Sequence, residues 1–161
     1  MEENGGITIR EGERADSRSL VVVWNEFMDC HLELDPGYAR REDAADMWID
    51  YIDPSFDDPD WNMYVALDGT ALVGFVIVNL AHHPPIYLNT KHGFLHAIAV
   101  LDSYRRRGVA SLLLQSAERW LRARGVPEIT VRIDERNAAS KALFSNVEFE
   151  PWVVLWRKQI D

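Results

Sequence analysis

Residues 93–125, "GFLHAIAVLDSYRRRGVASLLLQSAERWLRARG", constrain the fold more than any other part of this chain. The apolar run at 93–100 reads as a strand. Three arginines and a glycine follow, and then Val109, Leu112, Leu113, Ser116, Ala117 and Trp120 recur at helical spacing. Gly125 is placed to end that helix, with arginines in its last turn. A strand feeding a helix through a short loop is an α/β unit. It also points the unpaired N–H groups of the first helical turn, and the positive end of the helix dipole, at the loop. Gly108 allows an anion to approach the backbone there, and the small Ala110 keeps the approach open.

Charge sharpens this reading. The chain carries a formal net charge of −9, yet it crowds Arg105, Arg106 and Arg107 at a helix N-terminus. Each opposes the dipole by roughly 0.3–1 kcal/mol, a cost that an anionic ligand reverses. Taken alone, the same arginines also fit pairing with surface carboxylates. No GK[ST] follows, so the loop is not a Walker loop.

The other elements follow from periodicity and turn residues. "GITIREG" (6–12) reads as a first strand, 16–34 and 41–52 as helices, and 61–67 and 71–79 as strands joined across "DGT". A strand at 128–134, a helix at 137–147 capped by Asn137, and a closing strand at 149–158 complete the order. A hairpin-rich front half and an alternating back half predict an α/β (mixed α+β) domain, with a central mixed sheet and helices on both faces. Length (161 residues) and the lack of any long linker predict a single domain over 1–161.

The acidic balance argues against nonspecific nucleic-acid binding. Its apolar runs are too short to cross a bilayer, so no membrane partner is expected. The first sixteen residues lack a signal-peptide core, and one cysteine fits a reducing compartment, so a cytoplasmic protein is expected. His31 and Asp35 stand at i and i+4, too weak a spacing for a metal site, and no metal is expected. "WVVLW" (152–156) is apolar on both faces, which suits a buried strand or half of a homodimer interface.

The stretch "IAVLDSYRRRGVASLLLQSAERWLRARG" resembles motif A of the GNAT superfamily of acyl-CoA-dependent N-acetyltransferases: a strand, a [RQ]-x-x-G-x-[GA] loop and a helix. "NAASKALF" (137–144) is similar to the family's next motif, and "VEF" stands where the family has "LGF". The resemblance covers about 93–150 strongly and the front half in element order. It implies a GNAT-like fold with about six to seven strands, splayed apart at the motif A strand. It also implies an N-acetyltransferase that moves an acetyl group from acetyl-CoA to a primary amine of a small molecule or protein. The alternative is a non-catalytic CoA-binding module of the same fold.

Residue by residue, the resemblance implies that main-chain groups of Ile98, Ala99 and Val100 pair with the pantetheine arm. The loop Arg105, Arg106, Arg107, Gly108, Val109, Ala110 and Ser111 would wrap the pyrophosphate, with Asn137 and Phe144 also at the cofactor. A backbone N–H near Val100 is the expected oxyanion donor. The family often has a tyrosine at the position of Phe144 to protonate the leaving sulfur, and phenylalanine has no proton to give. Glu148 replaces the family's glycine, a change expected to matter for backbone conformation. His96, two residues before Ile98 and hence expected on the same strand face, is the candidate base. Glu33, Asp35 and His82 are candidates to meet a cationic acceptor, since the helix 1–helix 2 loop and the loop before the motif A strand line the acceptor side in this fold.

Overall fold

The computed structural model describes residues 2–4 and 6–160. Among them, six strands form one sheet in chain order: β1 (Glu2–Asn4), β2 (Ile7–Glu11), β3 (Trp61–Asp68), β4 (Ala71–His82), β5 (Lys91–Val100) and β6 (Ile129–Val131). All neighbours are antiparallel except β5 and β6, which run parallel. This is the mixed sheet expected. Four α-helices flank it: α1 (Ser17–Leu34), α2 (Ala44–Ile52), α3 (Val109–Ala123) and α4 (Ala138–Ser145). No helix among the described residues is long and apolar enough to cross a membrane.

Period-2 alternation divides the core into two layers. Val76, Val78 and Leu95 face Leu113, Leu114 and Ala117 of α3 and Phe144 of α4. Val65, Phe75, Ile77 and Ala99 face Leu20, Val23 and Trp24 of α1 and Ile52 of α2. Gly93 lets α3 settle on β5, because a Cβ at this position would lie 2.3 Å from the Leu121 side chain.

Two features of the sheet place the functional region. The register of β4 against β5 shifts between Ile77↔Ala97 and Val78↔Leu95, so His96 is an extra residue in a β-bulge. In addition, β6 pairs with β5 only over Gly93–Leu95, leaving residues 96–100 of β5 without a neighbour on that side. The sheet is therefore open between β5 and the chain that follows β6. Asp134 helps to hold it open: Arg136 and the Tyr38 hydroxyl bind its carboxylate, the latter at 3.3 Å, and turn the chain toward the end of α1. That turn ends β6 at Val131, short of the 128–134 expected.

The expected closing strand is absent: residues 151–160 form no regular element, and no backbone hydrogen bond joins them to the rest of the described chain. A pattern apolar on both faces suits a buried strand, but this segment is not buried against its own chain. The sheet instead gains β1, which precedes the first strand expected.

The end of α4 bears out the reading of Glu148. The Phe149 N–H reaches the Phe144 carbonyl at 3.0 Å, and Glu148 takes φ of 67° to make that reversal. A side chain in the left-handed region costs about 1–2 kcal/mol, which glycine does not incur. Glu148→Gly is therefore expected to stabilise the fold by about 1 kcal/mol and raise Tm by about 2–4 °C. An unchanged or lowered Tm in calorimetry would contradict this account.

Candidate active site

The loop from β5 to α3 carries a continuous run of unpaired backbone donors. A short 3-10 turn spans Asp102–Tyr104, Arg106 has φ of 61°, and Gly108 has φ of 79° as the N-cap of α3. Nothing lies within 4 Å of a Cβ built on Gly108, so open space stands over the helix end. No backbone carbonyl among the described residues accepts from the N–H groups of Arg106 to Ser111. Six consecutive donors around a helix N-terminus, with two left-handed residues between them, form an anion-binding concavity.

The arginines divide by role. Arg106 is exposed and pairs with no carboxylate among the described residues, and the Arg107 guanidinium lies 5.3 Å from the Tyr104 ring centre. Arg105 is committed elsewhere. Its Nε donates to the Val100 carbonyl at 3.0 Å, its Nη1 to Asp102 at 3.2 Å, and its Nη2 to Glu26 at 3.2 Å. Nη2 also lies 3.5 Å from Cys30 Sγ. The guanidinium of Arg105, expected at the phosphate, thus ties the loop to α1 in this structure.

Next to the loop is the open edge of β5. The Leu101 N–H donates to the Val73 carbonyl at 2.9 Å, so by alternation Ala99 also bonds toward β4 while Ile98 and Val100 point their N–H groups outward. The edge therefore offers Ile98 and Val100, whereas Ala99 is turned inward. These outward groups and the loop donors fit a ligand with an amide-bearing arm and a pyrophosphate, which is the make-up of CoA.

The bulge moves His96 away from Ile98. Ile98 and Val100 pack on the α3 side, whereas His96 stacks on Trp61 (4.3 Å between ring centres) and meets Phe94 edge-on, on the α1–α2 side. The face assigned to it above is corrected accordingly. The extra residue reverses the alternation, so spacing alone misplaces it. Its Nε2 is 3.0 Å from Asn79 Oδ1, which leaves Nδ1 free to accept. His96 is exposed, but partial desolvation of its ring against Trp61 and Phe94, aided by the nearby charge of Arg132, pushes its pKa down to about 4.

A depressed histidine pKa has a defined consequence for stability. The neutral ring is favoured in the fold, so this contribution is complete above about 6.5 and is lost as pH falls from there through about 4. His92, shifted down by burial and by His83, acts in the same direction. Replacing His96 with glutamine should flatten the decline of Tm between pH 7 and pH 4. Identical slopes for the variant and the parent would refute the assignment.

The remaining residues are dispersed. Asn137 Oδ1 accepts from the Ser140 N–H at 2.9 Å as the cap of α4. Phe144 is 3% exposed and packs edge-on against Phe149, within the core. Asp35 is buried and bound by the guanidiniums of Arg136 (2.7 Å) and Arg157 and by the Gly37 N–H (2.7 Å). These contacts hold its carboxyl well below the usual carboxylate range, with the Gly37 N–H contributing most. The expectation that Asp35 meets a cationic amine is corrected, because two cations already occupy it. Glu33 is exposed, and His82 is exposed at the end of β4 opposite Lys91, in the strand rather than in the loop after it. The Asp35–Arg136–Asp134 network was not read from the sequence.

The family model described as "Acetyltransferase (GNAT) family" matches residues 20–149. The chain belongs to the GNAT acetyltransferase family. One similar relative is N-alpha-acetyltransferase 30 of Schizosaccharomyces pombe, 28% identical over 98 residues, covering 61% of this chain and 63% of that protein. Another is the aminoglycoside N(6')-acetyltransferase type 1 of Salmonella typhimurium, 28% identical over 102 residues, covering 60% of this chain and 68% of that protein. The chain thus spans less than two thirds of the first relative's length. A solved structure of AAC(6')-Iy with a CoA-containing bisubstrate analogue has the same fold, at TM-score 0.71 and 22% identity, covering 96% of this chain and 99% of that one. The loop at Arg106–Ser111 and the open edge at Ile98 and Val100 are the parts of this structure to which the GNAT resemblance assigns acyl-CoA.

Proposed function

We propose that this GNAT protein transfers an acetyl group from acetyl-CoA to a primary amine of a small molecule, with both substrates bound together. The observation that carries the proposal is the adjacency of six unpaired N–H groups at the α3 N-terminus and the unpaired edge of β5. Acetyl-CoA, when bound, supplies an activated thioester carbonyl. The N–H groups of Arg106–Ser111 hold the pyrophosphate, and Arg106 and Arg107 add counter-charge. The outward groups of Ile98 would align the pantetheine arm, and the Val100 N–H would supply the hydrogen bond that stabilises negative charge on the thioester oxygen. Asn137 keeps its Nδ2 available to the cofactor while its Oδ1 caps α4.

Neutral at pH 7, His96 offers Nδ1 as a proton acceptor on the α1–α2 side, where the amine enters, with Glu33 and His82 at the margin. No acid is required of Phe144, because a thiol of pKa near 8.5 leaves as thiolate at modest cost. The acidic surface and the aminoglycoside-acetylating relatives favour a polycationic small amine as acceptor. The enzyme works in the cytoplasm, as a homodimer.

The test is release of free thiol from acetyl-CoA against an aminoglycoside, a polyamine and a peptide with a free N-terminus. Turnover with at least one small amine is expected. Tight acetyl-CoA binding with no turnover on any amine would favour the non-catalytic module instead.

A further inference from the structure

A row of side chains runs across the sheet beside His96. Trp61 lies opposite Asn79 in the β3–β4 pairing, and Asn79 lies opposite Phe94 in the β4–β5 pairing. Alternation puts all three on the α1–α2 face. Met63 and Ile77, two residues from Trp61 and Asn79, belong to that layer, whereas Leu95, next to Phe94, belongs to the other. The bulge brings the His96 ring to the same face, stacked on Trp61 and edge-on to Phe94. Between two aromatic side chains, cross-strand packing favours an aromatic or β-branched residue. An amide stands there instead.

That amide has a fixed direction. Asn79 Nδ2 donates to the Leu80 carbonyl at 3.3 Å. A carbonyl only accepts, so Oδ1 is the atom turned toward His96 Nε2, at 3.0 Å. The Leu80 peptide is anchored in turn, because its N–H donates to the Asp60 carbonyl at 2.7 Å. Oδ1 also only accepts, so Nε2 must carry the proton of the neutral ring. The lone pair is then on Nδ1.

We infer that Asn79 is a positioning residue for acetyl transfer: its amide oxygen holds His96 as the Nε2–H tautomer and keeps Nδ1 as the acceptor of the amine's proton. This rests on the reading of His96 as the base and adds the residue that orients it. Arg132, on the chain after β6, is the charged group whose field reaches the ring, and its guanidinium lies 5.3 Å from the Phe94 ring centre. Trp61, Asn79 and Phe94 are uncharged. An amide oxygen therefore fixes the proton without adding the negative charge by which a carboxylate would favour the protonated ring.

Two substitutions in the full chain separate this role from packing. Asn79→Leu fills the same place between the aromatic rings, so packing alone predicts an unchanged kcat. Positioning predicts a kcat about tenfold lower, with KM for acetyl-CoA unchanged. Asn79→Asp keeps an oxygen acceptor and adds a charge. His96 should then bind its proton about tenfold more tightly or better, followed through its imidazole nitrogens by ¹H–¹⁵N correlation against pH. The acid limb of the kcat profile should move up by the same factor. At pH 8, where the ring is neutral in both, kcat should return to within about threefold of the parent. Long-range ¹H–¹⁵N spectra of the parent at pH 7 should show Nε2 protonated and Nδ1 bare. A protonated Nδ1, a His96 titration that Asn79→Asp leaves in place, or a kcat for Asn79→Leu within about twofold of the parent would each overturn the inference while leaving acetyl transfer intact. A parent that turns over no amine fails in a different way: it removes the acetyl-transfer reading and this role with it.

Discussion

Gly108→Glu lowers the affinity for CoA about a hundredfold, while Gly108→Ala loses less than tenfold. The two variants share one backbone penalty, since Gly108 sits at φ of 79° and any side chain there costs about 1–2 kcal/mol. They differ in what they place over the helix end. Nothing lies within 4 Å of a Cβ at this position, so alanine meets no atom of the protein. Glutamate puts a carboxylate where the pyrophosphate must lie. Like charges about 4 Å apart at the surface repel by up to about 4 kcal/mol, and screening reduces this toward the 2.7 kcal/mol that a hundredfold loss represents. Both variants should lose a few degrees of Tm from the shared strain. Calorimetric titration with CoA at two salt concentrations tests the argument, because the repulsive part must shrink as salt rises. Equal affinities for the parent and Gly108→Glu would remove the loop from the CoA site.

What the sequence could and could not reveal follows from the range of the interactions involved. Local signals were sufficient for α1, α3 and the Asp68–Ala71 hairpin, where periodicity and a glycine turn fix the element. They were also sufficient for Gly108, for Asn137 as a cap and for Glu148 as a strained turn residue, since each depends on its nearest neighbours in the chain. The bulge at His96 had no local signature. It is a property of how two strands share their ladder, and counting along one strand cannot reveal it. The pairing of Asp35 with Arg136 joins residues 101 apart, and it turned an expected acceptor contact into a structural tie. The closing segment failed for a related reason. Apolarity on both faces states that a segment needs covering, but not by which chain.

Arg105→Ala is expected to weaken CoA binding about tenfold without removing any phosphate contact. The loop that must hold the pyrophosphate is fixed at one end by β5 and at the other by α3, and Arg105 braces it between them. Its guanidinium spans the Val100 carbonyl, Asp102 and Glu26, and Glu26 also accepts from the Asp102 N–H. Hydrogen bonds to charged groups contribute about 1.5–3 kcal/mol each, and the partial exposure of this cluster places the loss at the lower end. The alternative is that Arg105 binds phosphate directly, as its place in the motif implies. A double-mutant cycle separates the two. If Arg105 acts through α1, Glu26→Gln alone weakens CoA binding, and the double variant is no weaker than Arg105→Ala. If Arg105 meets phosphate, Glu26→Gln frees the guanidinium and leaves affinity unchanged or improved. Arg105→Lys distinguishes them again: an ammonium supplies the charge but cannot reach three acceptors in a plane, so bracing predicts no rescue where charge alone predicts most of it.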